Sequence, residues 1–191
     1  YFRYGAMNSG KSTHLMQVAH NYEERGMKVI LIKPATDKKG GDKLVSRLGV
    51  ERKVDILCLE KMNIYEEIQK WQEVKFKVNC ILVDEVQFMT KEQVDQLFKI
   101  AVVLDIPVIC YGLRTDFMME GFEGSTRLLL LAHSIEEMKT ICKCGRKAIL
   151  NGRKINGKFV FEGEQVAIDN IDNVQYESLC GHCYFRHKNN K

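Results

Sequence analysis

The sequence predicts an α/β fold: a mostly parallel sheet with helices on both faces, carrying a small β-rich module at its C-terminal end. Three observations lead there. Over the first two-thirds of the chain, short apolar runs alternate with amphipathic stretches of helical period, the pattern of strand–helix–strand crossovers. A glycine-rich stretch, "GAMNSGKS" at 5–12, stands between the first such run and the first helical stretch. Beyond residue 137 the pattern shortens, becomes rich in turns and gathers two close cysteine pairs.

Taken in order, "YFRY" is a strand, and Leu15, Met16, Val18, Ala19 and Tyr22 fall on one face of a helix that Gly26 ends. "KVILIK" (28–33) and "VDILCL" (54–59) are strands, and "NIYEEIQKW" (63–71) is a helix with Asn63 as its cap. "VNCILVDE" is a strand, "TKEQVDQLFKIAVVLD" (90–105) a helix opened by Thr90, and "IPVICYG" (106–112) a further strand. Residues 1–137 form one domain on this reading, and 138–191 form the module, with a hairpin turn at Asn156-Gly157. So few apolar residues lie beyond 137 that a metal staple is expected.

With 45% hydrophobic and 28% charged residues and only 2 prolines, the 191-residue chain has the composition of a globular protein. No apolar run approaches the roughly 20 residues that span a bilayer, and no signal-peptide pattern is visible. A start on Tyr1 inside a strand implies that a few residues precede it. A net charge of +4, much of it in the "FRHKNNK" tail, lacks the clustering of a nucleic-acid footprint. Cys58, Cys80 and Cys110 sit singly in apolar runs and read as small buried hydrophobes. Cys142 and Cys144, with Cys180 and Cys183, read as metal ligands before disulfides, which points to the cytoplasm.

"GAMNSGKS" fits G-x-x-x-x-G-K-[ST] in the strand–loop–helix setting that the motif requires. Its glycines let successive N–H groups turn inward, and the helix adds its positive end, which together make a cradle for phosphates. Lys11 can reach the β and γ phosphates and the Ser12 hydroxyl can ligate Mg²⁺, so the site is one for a nucleoside triphosphate. His14 reads as an ordinary helix residue near the sheet. Further on, "CILVDEVQF" runs an apolar strand into Asp84 and Glu85, on the sheet edge where the phosphate loop also lies. Strand alternation sends adjacent side chains to opposite sides, so Asp84 is assigned to the metal and Glu85 to a general base. The acids alone leave open whether Glu85 acts on water, as in an ATPase, or on a substrate hydroxyl, as in a kinase.

"GAMNSGKST", "DEVQF" and "YGLRTDF" followed by Phe122, with the terminal cysteine module, resemble the type II thymidine kinases over nearly the whole chain. The resemblance implies a P-loop NTPase (RecA-like) domain with a zinc module and a substrate-binding "lasso" loop. It implies transfer of the ATP γ-phosphate to the 5′-hydroxyl of thymidine, with deoxyuridine as a further acceptor, in nucleotide salvage. Glu85 would be the base. Gly5, Ala6, Met7, Asn8, Ser9, Gly10, Lys11, Ser12 and Thr13, with Asp84 and Gln87, would hold ATP, and Ser12 and Asp84 would hold Mg²⁺. Met7, Leu113, Phe117, Phe122 and Tyr176 would line the nucleoside pocket. The lasso, about Gln165 to Asn170 with Val166, Ala167, Ile168, Asp169 and Asn170, would read the base through its main chain.

Structural Zn²⁺ would sit on Cys142, Cys144, Cys180 and Cys183, although the first pair is C-x-C where the family commonly has C-x-x-C. His182 and His187 read as solvated. In the charged loop 35–49, Asp37 to Lys39 match a nucleotide-proximal segment in which an arginine is frequent. A homotetramer inhibited by the end product dTTP is also implied, with neither nucleic acid nor membrane as partner. The rival reading is a P-loop ATPase whose cysteine module is a nucleic-acid-binding zinc ribbon.

Overall fold

The computed structural model describes residues 1–36, 41–45, 49, 51–74, 77–166 and 173–189. Strand β1 (Phe2–Tyr4) leads through the glycine-rich loop into helix α1 (Lys11–Glu23), and β2 (Val29–Pro34) follows. Part of the charged loop pairs as a short antiparallel ribbon, β3 (Lys43–Val45) with β4 (Glu51–Lys53), where the sequence shows only a charge run. Then come β5 (Ile56–Cys58), α2 (Ile64–Val74), β6 (Cys80–Val83), a 3₁₀ turn over Val86–Phe88, α3 (Lys91–Val103) and β7 (Val108–Gly112). Helix α4 (Glu123–Leu131) and strand β8 (Ile135–Glu137), which the sequence reading passes over, close the first sheet.

That sheet has six strands in the order β5-β2-β6-β7-β1-β8, and every neighbouring pair is parallel. Alternate residues of each strand serve opposite faces. Ile30, Ile32, Ile81, Val83, Val108 and Cys110 pack with Ile64 and Ile68 of α2, Val94, Leu97 and Ile100 of α3, and Leu128 of α4. On the other face Leu31, Cys80, Leu82, Ile109 and Tyr111 pack with Leu15 and Ala19 of α1. The expected α/β fold with helices on both faces is therefore present. Among the described residues no helix is long and apolar enough to cross a membrane.

Several strands are shorter than their apolar runs. Asp55, expected inside a strand, instead accepts the Leu31 N–H on Oδ2 at 2.8 Å while its own N–H donates to the Leu31 carbonyl, so β5 starts only at Ile56. Strand β6 stops at Val83, before either acid, because the backbone turns at Glu85 into the left-handed region with φ of 49°.

After β8, Thr140–Ile141 (β9) pairs with Lys147–Ala148 (β10), and Leu150–Ile155 (β11) lies between Lys158–Val160 (β12) and Val174–Leu179 (β13). Asn156 and Gly157, at φ of 51° and 79°, make the expected hairpin turn. Helix α5 (Gly181–Asn189) completes a small core of Ala148, Leu150, Phe161, Leu179 and Tyr184 around three buried cysteines.

Both expected helix caps are in place. Asn63 Oδ1 accepts the Glu66 N–H at 3.2 Å, and Thr90 forms a full capping box with Gln93. The Gln93 side chain also donates to the carbonyls of Leu59 and Glu60 at 2.8 and 3.1 Å, tying the start of α3 to the loop after β5. Thr90→Ala should lower the unfolding free energy by about 1 kcal/mol, the usual worth of such a cap. Urea unfolding of the two proteins would measure it, with an unchanged midpoint counting against the cap.

Candidate active site

The phosphate loop is shaped by two glycines for different reasons. Gly10 has φ of 78° and gives α1 no side-chain cap, so the first N–H groups of the helix stay directed at the loop. At Gly5 a Cβ would stand 2.4 Å from the Met138 carbonyl oxygen, so only glycine fits the close approach. Lys11 is buried, and its Nζ donates to the carbonyls of Gly5 and Ala6 at 3.3 and 3.1 Å, which holds the ammonium over the loop. Ala6, Asn8, Ser9 and Thr13 lie along the same loop and first helical turn.

Ser12 Oγ donates to Asp84 Oδ2 at 3.0 Å, joining the loop after β1 to the end of β6. Asp84 is buried, and among the described residues its Oδ1 has no hydrogen-bond partner. Burial first, and then the charge of Glu85, push its carboxyl above the usual carboxylate range, while the Ser12 hydroxyl and the Lys11 charge pull the other way. A buried carboxylate with one oxygen unsatisfied beside a hydroxyl suits a hard divalent cation such as Mg²⁺.

Glu85 parts from Asp84 through its left-handed backbone, not through the pleat of a strand. The two side chains do part, Asp84 to Ser12 and Glu85 to a separate wall, but not for the expected reason: the chain has left the strand before either residue. Glu85 reaches a cavity of about 590 Å³ between the sheet domain and the module. Its Oε2 accepts from Gln87 Nε2 at 2.5 Å, and Gln87 Oε1 accepts the Leu113 N–H at 3.0 Å. Gln87 thus sits in the cavity wall between the acid and the loop after β7.

Met7, Leu113, Phe117, Phe122, Val166 and Tyr176, all expected on the nucleoside side, line this cavity together. Ala167, Ile168, Asp169 and Asn170 lie outside the described residues, as do Asp37 and Lys39. Phe122 meets Phe88 edge to face with centroids 5.7 Å apart, an aromatic corner in the cavity wall. The Phe117 ring lies 3.7 Å under the guanidinium of Arg153, and its carbonyl accepts from the buried Tyr184 hydroxyl at 2.7 Å.

Sequence reasoning missed three residues of the site. Arg153 is buried; its Nη1 and Nη2 donate to the carbonyls of Glu164 and Gln165 at 2.7 and 2.8 Å, and its Nε donates to Tyr176 Oη at 3.1 Å. Asp116, also buried, accepts from Gln165 Nε2 at 3.0 Å. Asn151 donates to the Thr115 carbonyl at 3.1 Å and lines the cavity with Asp116 and Gln165. Asp116 lies inside the quoted "YGLRTDF" but was given no role there, and no motif marks Arg153 or Asn151, although a strand such as "LNGRKI", with an arginine and an asparagine two apart on one face, was a visible oddity.

The Sγ atoms of Cys142, Cys144, Cys180 and Cys183 all lie within 4.8 Å of one another, and Cys144 and Cys180 approach to 3.5 Å. A zinc tetrahedron with bonds near 2.3 Å has sulfur–sulfur edges of about 3.8 Å, so the C-x-C pair fits such a site. His187 instead stacks on Phe159 with centroids 4.3 Å apart. His14, set between Arg3 and the Tyr111 hydroxyl at 3.2 and 3.0 Å, is a partly buried polar contact beneath α1.

A sequence profile described as thymidine kinase matches residues 1–184 of the chain. The thymidine kinase of Vibrio vulnificus strain CMCP6 is 48% identical over 186 residues, covering 96% of this chain and 95% of that protein. That of Mannheimia succiniciproducens is 45% identical over 196 residues, covering 100% and 96%. That of Enterobacteria phage T4 is 45% identical over 181 residues, covering 94% and 91%.

The buried thiols of Cys58 and Cys110 are pushed up by desolvation to about 12, and that of Cys80 to about 11, from an ordinary value of 9.0. Native protein treated with iodoacetamide at pH 8 should therefore keep all three unmodified, with mass spectrometry as the readout. Because their folded values are raised, they favour folding below pH 9 and lose that contribution as pH rises through about 11 to 12. Rapid alkylation of these three in folded protein would contradict the packing described.

Proposed function

Since the chain belongs to the thymidine kinase family, we propose that it transfers the γ-phosphate of ATP to the 5′-hydroxyl of thymidine, with Glu85 as the base. The observation that carries this reading is the placing of Glu85. It lies one residue beyond the Asp84–Ser12 contact and faces a cavity walled by Met7, Leu113, Phe117, Phe122 and Tyr176. A cavity of that size holds a nucleoside, and flat aromatic walls suit its base.

In the proposed reaction the amides of the loop from Gly5 to Thr13 and the Lys11 ammonium hold the triphosphate. Ser12 and Asp84 would hold Mg²⁺, which when bound would offset charge on the triphosphate. Glu85, oriented by the Gln87 amide, takes the proton from the 5′-hydroxyl as that oxygen forms its bond to the γ phosphorus. The bond from γ phosphorus to the β–γ bridging oxygen breaks, and its electron pair leaves with ADP. Asn151, Gln165 and Asp116 offer polar partners at the cavity wall. Main-chain reading of the base by Val166 and the segment through Asn170 would leave a wrong base with unpaired groups.

Structural zinc on the four cysteines would staple together the two ends of a module spanning 138–191, which stands beside a catalytic domain of 1–137. By the same resemblance the protein acts in the cytoplasm as a homotetramer under feedback from dTTP, and deoxyuridine is a second acceptor.

The deciding assay is ADP release with and without thymidine, and with and without single-stranded DNA. Release that depends on thymidine is expected, and release that ignores thymidine but rises with DNA would replace this reading with a nucleic-acid-stimulated ATPase. Glu85→Gln should keep ATP binding and lose turnover by about 10² or more. Near-normal turnover would remove Glu85 from its role.

Arg153→Lys keeps the charge but not the fork that holds two carbonyls and a hydroxyl. It should raise the thymidine KM by about tenfold, the scale of a lost charge-assisted hydrogen bond. Steady-state kinetics would show it, and a change confined to the ATP KM would contradict it.

A further inference from the structure

Met7 belongs to two sites at once. It is the third residue of the phosphate loop, and it also lines the nucleoside cavity. Both of its main-chain polar groups are held by the cysteine module. Its N–H donates to Asn151 Oδ1 at 2.8 Å, and its carbonyl accepts from the Ser178 hydroxyl. Asn151 and Ser178 are buried and stand directly opposite each other in the pairing of β11 with β13, so one cross-strand pair grips one residue of the loop. The next residue, Asn8, is held in the left-handed region at φ of 66°, and its carbonyl accepts from Thr140 Oγ1 at 3.3 Å. Asparagine tolerates that conformation better than other non-glycine residues, and the Thr140 contact holds it there.

The other end of the Asn151 amide donates to the Thr115 carbonyl, on the loop that carries Phe117. This fixes the amide with its oxygen toward Met7 and its nitrogen toward Thr115. Two residues beyond Ser178 the same strand runs into Cys180. The main chain of the phosphate cradle is therefore held by side chains from a different part of the chain, anchored next to the cysteine cluster.

We propose that the Asn151–Ser178 pair is a positioning device for the phosphate loop, setting the curl at Met7 and Asn8 that receives the triphosphate. The cysteine module is on this account part of the nucleotide site as well as of the nucleoside site. The inference rests on the reading of residues 5–12 as the ATP site.

Ser178 is not among the described residues lining the cavity, so Ser178→Ala separates the clasp from nucleoside contact. The unaltered protein and the variant are titrated by calorimetry with Mg²⁺ and the β,γ-methylene analogue of ATP, without nucleoside, and then compared in steady state. Affinity for the analogue should fall by about five- to tenfold, the scale of one lost buried hydrogen bond. The ATP KM should rise by the same factor, and the thymidine KM should stay within about twofold. Thr140→Val, a near-isosteric loss of the hydroxyl on Asn8, should shift ATP affinity in the same direction by less, and it decides the matter should Ser178→Ala not fold.

A purely structural role predicts a lower melting temperature and a smaller active fraction with unchanged analogue affinity, and that result would overturn the proposal. Because the titration contains no nucleoside, a protein indifferent to thymidine would sink the kinase reading while the same measurement still decided the clasp.

Discussion

The hydrogen bond between Ser12 and Asp84 depends on nearly everything else in the domain. Its two partners follow different strands, β1 and β6, and β7 lies between those strands in the sheet. They meet only because all three strands run parallel and end at one edge, so that the loops after them share a crevice. The parallel order in turn needs both faces covered, which the alternating apolar residues and the helices on each side provide. A buried acid with one oxygen unpaired is a costly thing to place at the end of a strand. That cost is the observation behind the proposal that Asp84 and Ser12 take a cation.

The second half of the site is closed by a module with little core of its own. Its apolar cluster is small and includes Cys142, Cys180 and Cys183, so packing alone does not hold it in place. It is held to the sheet domain by directed polar contacts: Asn151 and Ser178 on Met7, Asn151 on Thr115, Tyr184 on the Phe117 carbonyl and Gln165 on Asp116. Each of these falls on a residue of the phosphate loop or of the loop after β7. Contacts of this kind give orientation more than stability, because each exchanges with water at small net gain.

What could be read from the sequence follows the range of the interaction involved. The phosphate loop is local: glycine spacing, the lysine and the hydroxyl residue lie within eight positions and state their own geometry. The helix caps at Asn63 and Thr90 are legible for the same reason. Asp84 and Glu85 were legible as a pair because strand ends gather at one edge, yet pleat alternation was the wrong cause for their divergence. The turn depends on a left-handed backbone at a glutamate, which no local propensity announces. Arg153 and Asn151 were not legible at all. Their roles arise from the register of β11 with β13 and from docking against a loop about forty residues earlier in the chain, and neither is written in the residues around them.

Glu85 and Asn8 show how the site spends strain. Each is a non-glycine residue with positive φ, as are Asn156 in a hairpin turn and Asp105 just beyond a helix end, where such backbone is ordinary. Asn8 and Glu85 instead flank the crevice, one on the phosphate side and one at the acceptor side. Each is fixed by several contacts. Asn8 has Thr140 on its own carbonyl and the Asn151–Ser178 grip on Met7 before it, while Glu85 has the Gln87 amide on its carboxylate, and its carbonyl accepts the Phe88 N–H of the 3₁₀ turn at 3.1 Å. A relaxed backbone at either point would aim the loop amides or the carboxylate elsewhere. Since phosphoryl transfer asks little of the protein beyond placement and charge, fixing the backbone at these two residues, against the preference of a glutamate in one case, is a direct way to supply placement.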